Sequence, residues 1–105
     1  MDKAITTEIA SFETVGGMDR REWIKIVDSL EKEFHMKQKG FIDTELVKGE
    51  GPNQWMMIQH WQTMEDAREA SRQMMKSVSA EQFRNSLDPK TVRLQYLEQM
   101  GQWRV

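Results

Sequence analysis

Apolar and polar residues alternate at first along this chain, then recur at helical spacing, then alternate again. Ile5 to Val15 alternates and is rich in β-branched residues, which predicts a strand ended by Gly16-Gly17. Asp19 with Glu22 three residues later is a capping-box-like start, and Trp23, Val27, Leu30 and Phe34 follow at spacings of four, three and four. That stripe predicts a helix to about Met36, with Lys32, Lys37 and Lys39 near its negative end. Gly40 breaks it. Phe41 to Lys48 and Gln54 to Trp61 read as two strands, and the turn-forming Gly49-Glu50-Gly51-Pro52-Asn53 between them predicts a hairpin. Thr63 with Asp66 opens a second helix, Met64 to Ser77, with Met64, Ala67, Ser71, Met74 and Val78 along one face. Ser79 with Gln82 restarts a short helical segment holding Phe83 and Leu87. Asp88-Pro89 turns the chain into a fourth strand, Thr91 to about Met100, and Gly101 to Val105 form a tail.

The order β-α-β-β-α-β specifies an α+β, ferredoxin-like arrangement: a four-stranded antiparallel sheet with two helices on one face. Trp55, Met57, Gln59 and Trp61 point to one side of the third strand, and Met56, Ile58 and His60 to the other. In the fourth strand Val92, Leu94 and Tyr96 oppose Arg93, Gln95 and Leu97. Neither side is cleanly polar. A sheet with helices on one face and water on the other alternates more sharply, so a second cover is expected. An identical sheet is the simplest one, giving a two-fold dimer clamped by Met100 and Trp103 of the tail.

Composition narrows the classes of function. At 105 residues the chain is one domain, 1–105, with 38% hydrophobic and 30% charged residues. The absence of cysteine excludes disulfides, zinc–thiolate sites, iron–sulfur clusters and a catalytic thiol. A formal charge of −2 with both signs mixed argues against a nucleic-acid binder. The N-terminus shows no apolar signal segment, and no run is long enough to cross a bilayer, so a cytoplasmic protein without membrane contact is expected. Nine methionines and four tryptophans suit either a malleable core or a pocket for a flat hydrophobe.

Three stretches resemble the dimeric α/β-barrel superfamily, and within it the antibiotic-biosynthesis-monooxygenase-like proteins. They are Lys39-Gly40-Phe41-Ile42, the run Met57 to Asp66 with its strand-ending Trp61 and capped acidic helix start, and Ser79 to Phe83. The resemblance implies a homodimer whose two sheets face across a barrel, with pockets between helices and sheet. Relatives include cofactor-free oxygenases of aromatic quinols, heme-degrading enzymes, isomerases and proteins without known activity, and fold does not choose among them. The resemblance also implies that Trp61 lines the pocket, although a buried indole can equally plug the sheet–helix junction. Heme-degrading relatives add an Asn on the first strand and a His on the second helix. This chain has neither, which leaves His60 as a substitute ligand in that less favoured reading.

The remaining candidates follow from side-chain chemistry. Trp55, Met57, Trp61, Met74, Met75 and His60 are the expected substrate-binding set. Trp61 with Tyr96 or Glu45 would orient a substrate. His60 is expected on the opposite sheet face from Trp61, as an interface residue, and His35 as a helix-end cation. An acid inside an apolar barrel could act as a base, but Glu8, Glu13, Asp43 and Glu45 are expected at the rim, in solvent or paired with Arg93. Two histidines far apart make no metal-ligand spacing, so no metal and no cofactor are expected. The expected function is a small cofactor-independent monooxygenase acting on a flat aromatic or quinol-like substrate. The alternative is a non-enzymatic homodimer that binds a small hydrophobic ligand.

Overall fold

The computed structural model describes residues 4–105. The first three, part of the N-terminus read above for a signal segment, lie outside the described residues. Four strands, β1 (Thr6–Glu13), β2 (Phe41–Lys48), β3 (Gln54–Trp61) and β4 (Arg93–Glu98), form one antiparallel sheet in the order β2-β3-β1-β4. Three helices, α1 (Arg20–Glu33), α2 (Met64–Met74) and the short α3 (Glu81–Asn85), complete the ferredoxin-like fold. Among the described residues no helix is long and apolar enough to cross a membrane.

Both long helices begin where the sequence places them. The Asp19 carboxylate accepts from the Arg21 N–H, and the Thr63 hydroxyl accepts from the Asp66 N–H. The helix ends come earlier than the periodicity suggests. α1 stops at Glu33, and His35–Lys37 tighten into a 3₁₀ turn, because Phe34 leaves helical geometry at φ −124°. α2 stops at Met74 rather than Ser77, so Val78 sits exposed in a separate 3₁₀ turn and does not extend the apolar face of α2. Ser79 caps no backbone N–H there; its hydroxyl meets that of Ser77. β1 and β4 are also shorter than predicted, since Pro89–Thr91 form another 3₁₀ turn before β4 starts.

Two aromatic clusters fill the layer between helices and sheet. In the first, Trp23 of α1 stacks on Phe83 of α3 at 5.6 Å and meets Phe12 and Trp55 at 5.9 Å. Ile26, Val27 and Leu30 extend that core along α1. The second is built on Trp61, which α2 covers with Ala67 and Ala70. Phe41 packs edge-on against Trp61 at 5.4 Å, and His35 lies over Phe41 at 5.9 Å. A bulge between Phe41 and Asp43 puts Phe41 and Thr44, three residues apart, on the same helix-facing side.

The far end of β1 is fastened from several directions. Thr14 bridges Leu87, the Thr14 N–H donates to Asn53 O, and the Val15 N–H donates to Ser86 O. The Asp88 N–H donates to Glu13 O, while the Glu13 N–H donates to the Thr91 hydroxyl at 2.8 Å.

Gly40 sets the entry to β2. Its φ of +80° is strained for any residue with a Cβ, and a Cβ there would collide with the Asp66 carboxylate. Its carbonyl accepts from the Gln62 N–H, tying the start of β2 to the end of β3. Gly40→Ala is therefore expected to lower unfolding free energy by about 2 kcal/mol, read as a lower urea midpoint. A midpoint equal to that of the unmutated chain would show that this turn relaxes freely.

Candidate functional site

Small side chains open a gap between the two aromatic clusters. Ala10 on β1 faces Ala70 and Ser71 on α2, and none of them fills the layer. The result is a cavity of about 320 Å³ with mainly apolar walls. Met57 of β3, Met74 and Phe83 line it, and Trp61 and His35 wall one end. Met75 (73% exposed) and Leu94 stand at the exposed side.

One polar row crosses this apolar site. Register places Thr44, Gln59, Glu8 and Tyr96 side by side across all four strands, on the face turned to the helices. The Gln59 amide donates to the Thr44 hydroxyl at 2.9 Å. Tyr96 and Ser71 share a hydroxyl–hydroxyl hydrogen bond of 2.6 Å that joins β4 to α2, and Arg68 lies over the Tyr96 ring. Glu8 stands between these pairs and is 6% exposed. Burial pushes its carboxyl above the ordinary 4.5. The His35 charge and hydrogen bonding from Trp61 and Ser71 oppose that rise. The Trp61 indole N–H is fully buried, yet among the described residues no acceptor meets it at full hydrogen-bonding geometry. It thus favours the Glu8 carboxylate without being saturated by it.

His35 completes the closed end. Its ring is 3% exposed and is clamped by Phe34, Phe41 and Trp61. Its Nδ1 lies 2.6 Å from Glu31 Oε2, one turn back along the chain. At the other end, Arg84 of α3 donates to the Met74 and Ser77 carbonyls, closing the C-terminus of α2 beside the cavity.

The expected site residues divide by sheet face. Trp61, Met57, Met74 and Met75 border the cavity, and Tyr96 reaches it through Ser71. Trp55 is locked in the first aromatic cluster against Trp23 and does not line it. Glu45 pairs in register with Ile58, and His60 with Asp43, on the opposite face, where His60 Nδ1 lies 2.7 Å from Asp43 Oδ1. The rim placement expected for Glu8 is corrected: it is buried at the cavity wall, because it shares the inward parity of Thr6 and Phe12. His35 likewise is a buried cavity residue rather than a solvated helix-end cation. Gln59, Ser71 and Arg84 are further cavity residues that the reading of the sequence did not propose. Among the described residues no three His, Asp or Glu side chains converge as a metal site.

Residues 7–86 match the family model described as antibiotic biosynthesis monooxygenase. The chain belongs to this family. No curated protein sequence matches it. Solved structures share the family fold at low identity. A cofactor-independent oxygenase, SnoaB of Streptomyces nogalater, in a mutant form, aligns with TM-score 0.72 and 18% identity over 94% of this chain and 96% of that one. A candidate antibiotic biosynthesis monooxygenase from Bordetella bronchiseptica aligns with TM-score 0.73 and 17% identity over 93% and 99%. A conserved protein from Methanosarcina mazei aligns with TM-score 0.68 and 18% identity over 90% and 92%. At such identities the likeness carries the fold, and the chemistry has to be argued from this cavity.

The raised pKa of Glu8 gives a signed expectation for this family member. The folded state holds that proton more tightly than the unfolded chain. This contribution to stability is therefore complete below about pH 4.5 and is lost as pH rises through the folded-state pKa. Glu8→Gln should then melt a few degrees higher than the unmutated protein at pH 8. The gap should close toward pH 4.5 in calorimetric scans. An equal gap at both pH values would mean that packing, not ionisation, sets the difference.

Proposed function

We propose that this protein is a cofactor-independent monooxygenase that oxidises a flat, electron-rich aromatic or quinol-like substrate in the cavity beside Trp61. The observation that carries the reading is the shape and lining of that cavity. It is open rather than filled by its methionines, it is walled by a tryptophan face and adaptable thioethers, and its acid–base groups gather at one buried end. Membership of the monooxygenase family supports the same reaction class.

The chemistry asks little of the protein beyond placement. An aromatic alcohol with a free ring position para to its hydroxyl loses the hydroxyl proton, and the anion delivers electrons to dioxygen. The ring gains one oxygen and gives up two hydrogens to become a quinone, and the second oxygen atom leaves as water. The substrate is the reductant and dioxygen the oxidant, so the balance needs no further electron carrier. The chain supplies a dry slot, a fixed ring plane and polar groups aimed at the developing charge. In this reading Trp61 holds the ring plane, with its indole N–H directed to the Glu8 carboxylate. Tyr96, set by Ser71, fixes a polar contact, and Met57, Met74 and Met75 adapt to the ring edge.

The uncovered sheet face supports a second copy as its partner. Ile9, Met56, Ile58 and Leu97 lie on that side with no helix over them, and Met100 and Trp103 of the tail are exposed. A homodimer through the sheet faces would bury them. Light scattering is expected to give twice the monomer mass, and Leu97→Asp to shift the population toward the monomer. A monomeric unmutated chain would remove this part of the reading.

The activity is tested with oxygen uptake on a panel of 1-naphthols and related phenols whose para position is free, using ¹⁸O-labelled dioxygen. One labelled atom is expected in the quinone product, with Trp61→Phe and Tyr96→Phe each about tenfold slower. Saturable quenching of tryptophan emission without oxygen uptake would instead favour a non-enzymatic ligand-binding dimer.

A further inference from the structure

The proposed oxygenation begins with the loss of a substrate proton, and the reading above leaves its destination open. The cavity is lined by a buried carboxyl group suited to take it, with an imidazole beside it. Glu8 is at the wall, 6% exposed, in the middle of the polar row. His35 borders the same cavity and is close enough for its charge to act on Glu8. Its Nδ1 is committed to Glu31, so Nε2 is the nitrogen left to serve the cavity side. Glu31 has one oxygen buried without a partner among the described residues, while its side chain as a whole is 16% exposed. Glu31 and His35 thus form a bonded pair behind the cavity wall that holds Glu8.

Resting on the proposed function, we infer that Glu8 is the proton acceptor for the substrate hydroxyl, and that the Glu31–His35 pair tunes it through the charge of His35. The hydroxyl O–H breaks, its electron pair stays on the aromatic oxygen, and the proton bonds to the Glu8 carboxylate. Glu8 is the catalytic residue of this step because it touches the substrate; His35 and Glu31 are positioning residues.

The surroundings of Glu8 fit this assignment. From the turn after α1 it faces His35, backed by Glu31. From β4 it faces Tyr96, beneath Arg68. From α3, Arg84 shares the cavity, with its donors directed to two carbonyls. α2 offers Ser71 and β3 offers Gln59 and Trp61, none of which carries a charge. The carboxyl is raised by burial, which makes it a stronger base once ionised.

2-Naphthol tests the inference without oxygen, because its excited state is a strong acid and emits as the anion only where an acceptor meets its hydroxyl. The titration is run anaerobically, with excitation beyond the tryptophan band and with binding followed separately by tryptophan quenching. At pH 8 the bound probe is expected to show anion emission. Glu8→Gln should cut the anion-to-neutral ratio at least tenfold, with affinity held within about threefold. His35→Gln removes a charge that favours the Glu8 carboxylate, so the pH midpoint of anion emission should move upward by about one unit. Glu31→Gln should move it in the same direction by less.

Anion emission equal in the unmutated protein and Glu8→Gln would overturn the role of Glu8, as would neutral emission from the unmutated complex. An unmoved midpoint in His35→Gln would overturn the part given to the His35 charge. Failure of the unmutated protein to bind naphthol at all would be a different result, sinking the aromatic-alcohol reading together with the inference built on it.

Discussion

Full burial of one indole governs the architecture of this protein. Trp61 ends β3 under α2, and a helix can approach a sheet over a tryptophan only if it brings small side chains to that contact. Ala67 and Ala70 meet that need, with Phe41 and Tyr96 packed at the sides. The same economy leaves Ser71 and Ala10 facing each other a turn further along, where the layer spacing is already set by large rings on both sides. A layer held open by Trp61 at one end and by Trp23 and Phe83 at the other cannot close over alanines between them. The cavity therefore follows from packing geometry.

Electrostatics follows from the same constraint. A carboxyl group placed in such a gap loses water and has few polar neighbours to replace it. The polar row across the sheet and the aromatic-clamped His35 supply those neighbours, and they do so incompletely: the Trp61 N–H remains unsaturated. A buried polar group with spare capacity is costly to a merely structural protein. Burial of Trp61 beneath α2 therefore carries that cost inside the fold.

Much of this was legible in the residues. β2 and β3 have the predicted bounds, because turn residues mark both sides of the hairpin, and both helix starts lie at their capping residues. Helix ends were less legible. Phe34 continues the apolar stripe of α1 in sequence while its backbone departs from helix, so the period runs on past the structure. Trp61, Met57 and Met74 border the cavity, whereas Trp55, equally large and apolar and on the same face of β3, is taken up by the first aromatic cluster. Glu8 was misplaced because a carboxylate is ordinarily solvated, although its parity with Thr6, Ala10 and Phe12 on β1 is an inward signal. His35 was misplaced because its burial depends on the 3₁₀ turn that swings it beneath Phe41. The polarity of each strand face could be read locally, but the bulge at Ile42 and the pairing of Gln59 with Glu8 are long-range facts.

The bonds that fasten the far end of β1 also act as a form of error checking. A slip of that strand by a single residue would bring Thr7 or Ile9 to the cavity wall in place of Glu8, while preserving a four-stranded sheet. Such a molecule could still look folded in a circular dichroism spectrum and have no acid at its centre. Thr14, Glu13 and Val15 must each find a specific partner on three separate segments, Asn53, Ser86–Asp88 and Thr91. Those partners can be satisfied together in one register. The information that selects which residues line the cavity is thus stored at the opposite end of the strand from Trp61, in bonds made by the backbone of β1 and the residues just beyond it.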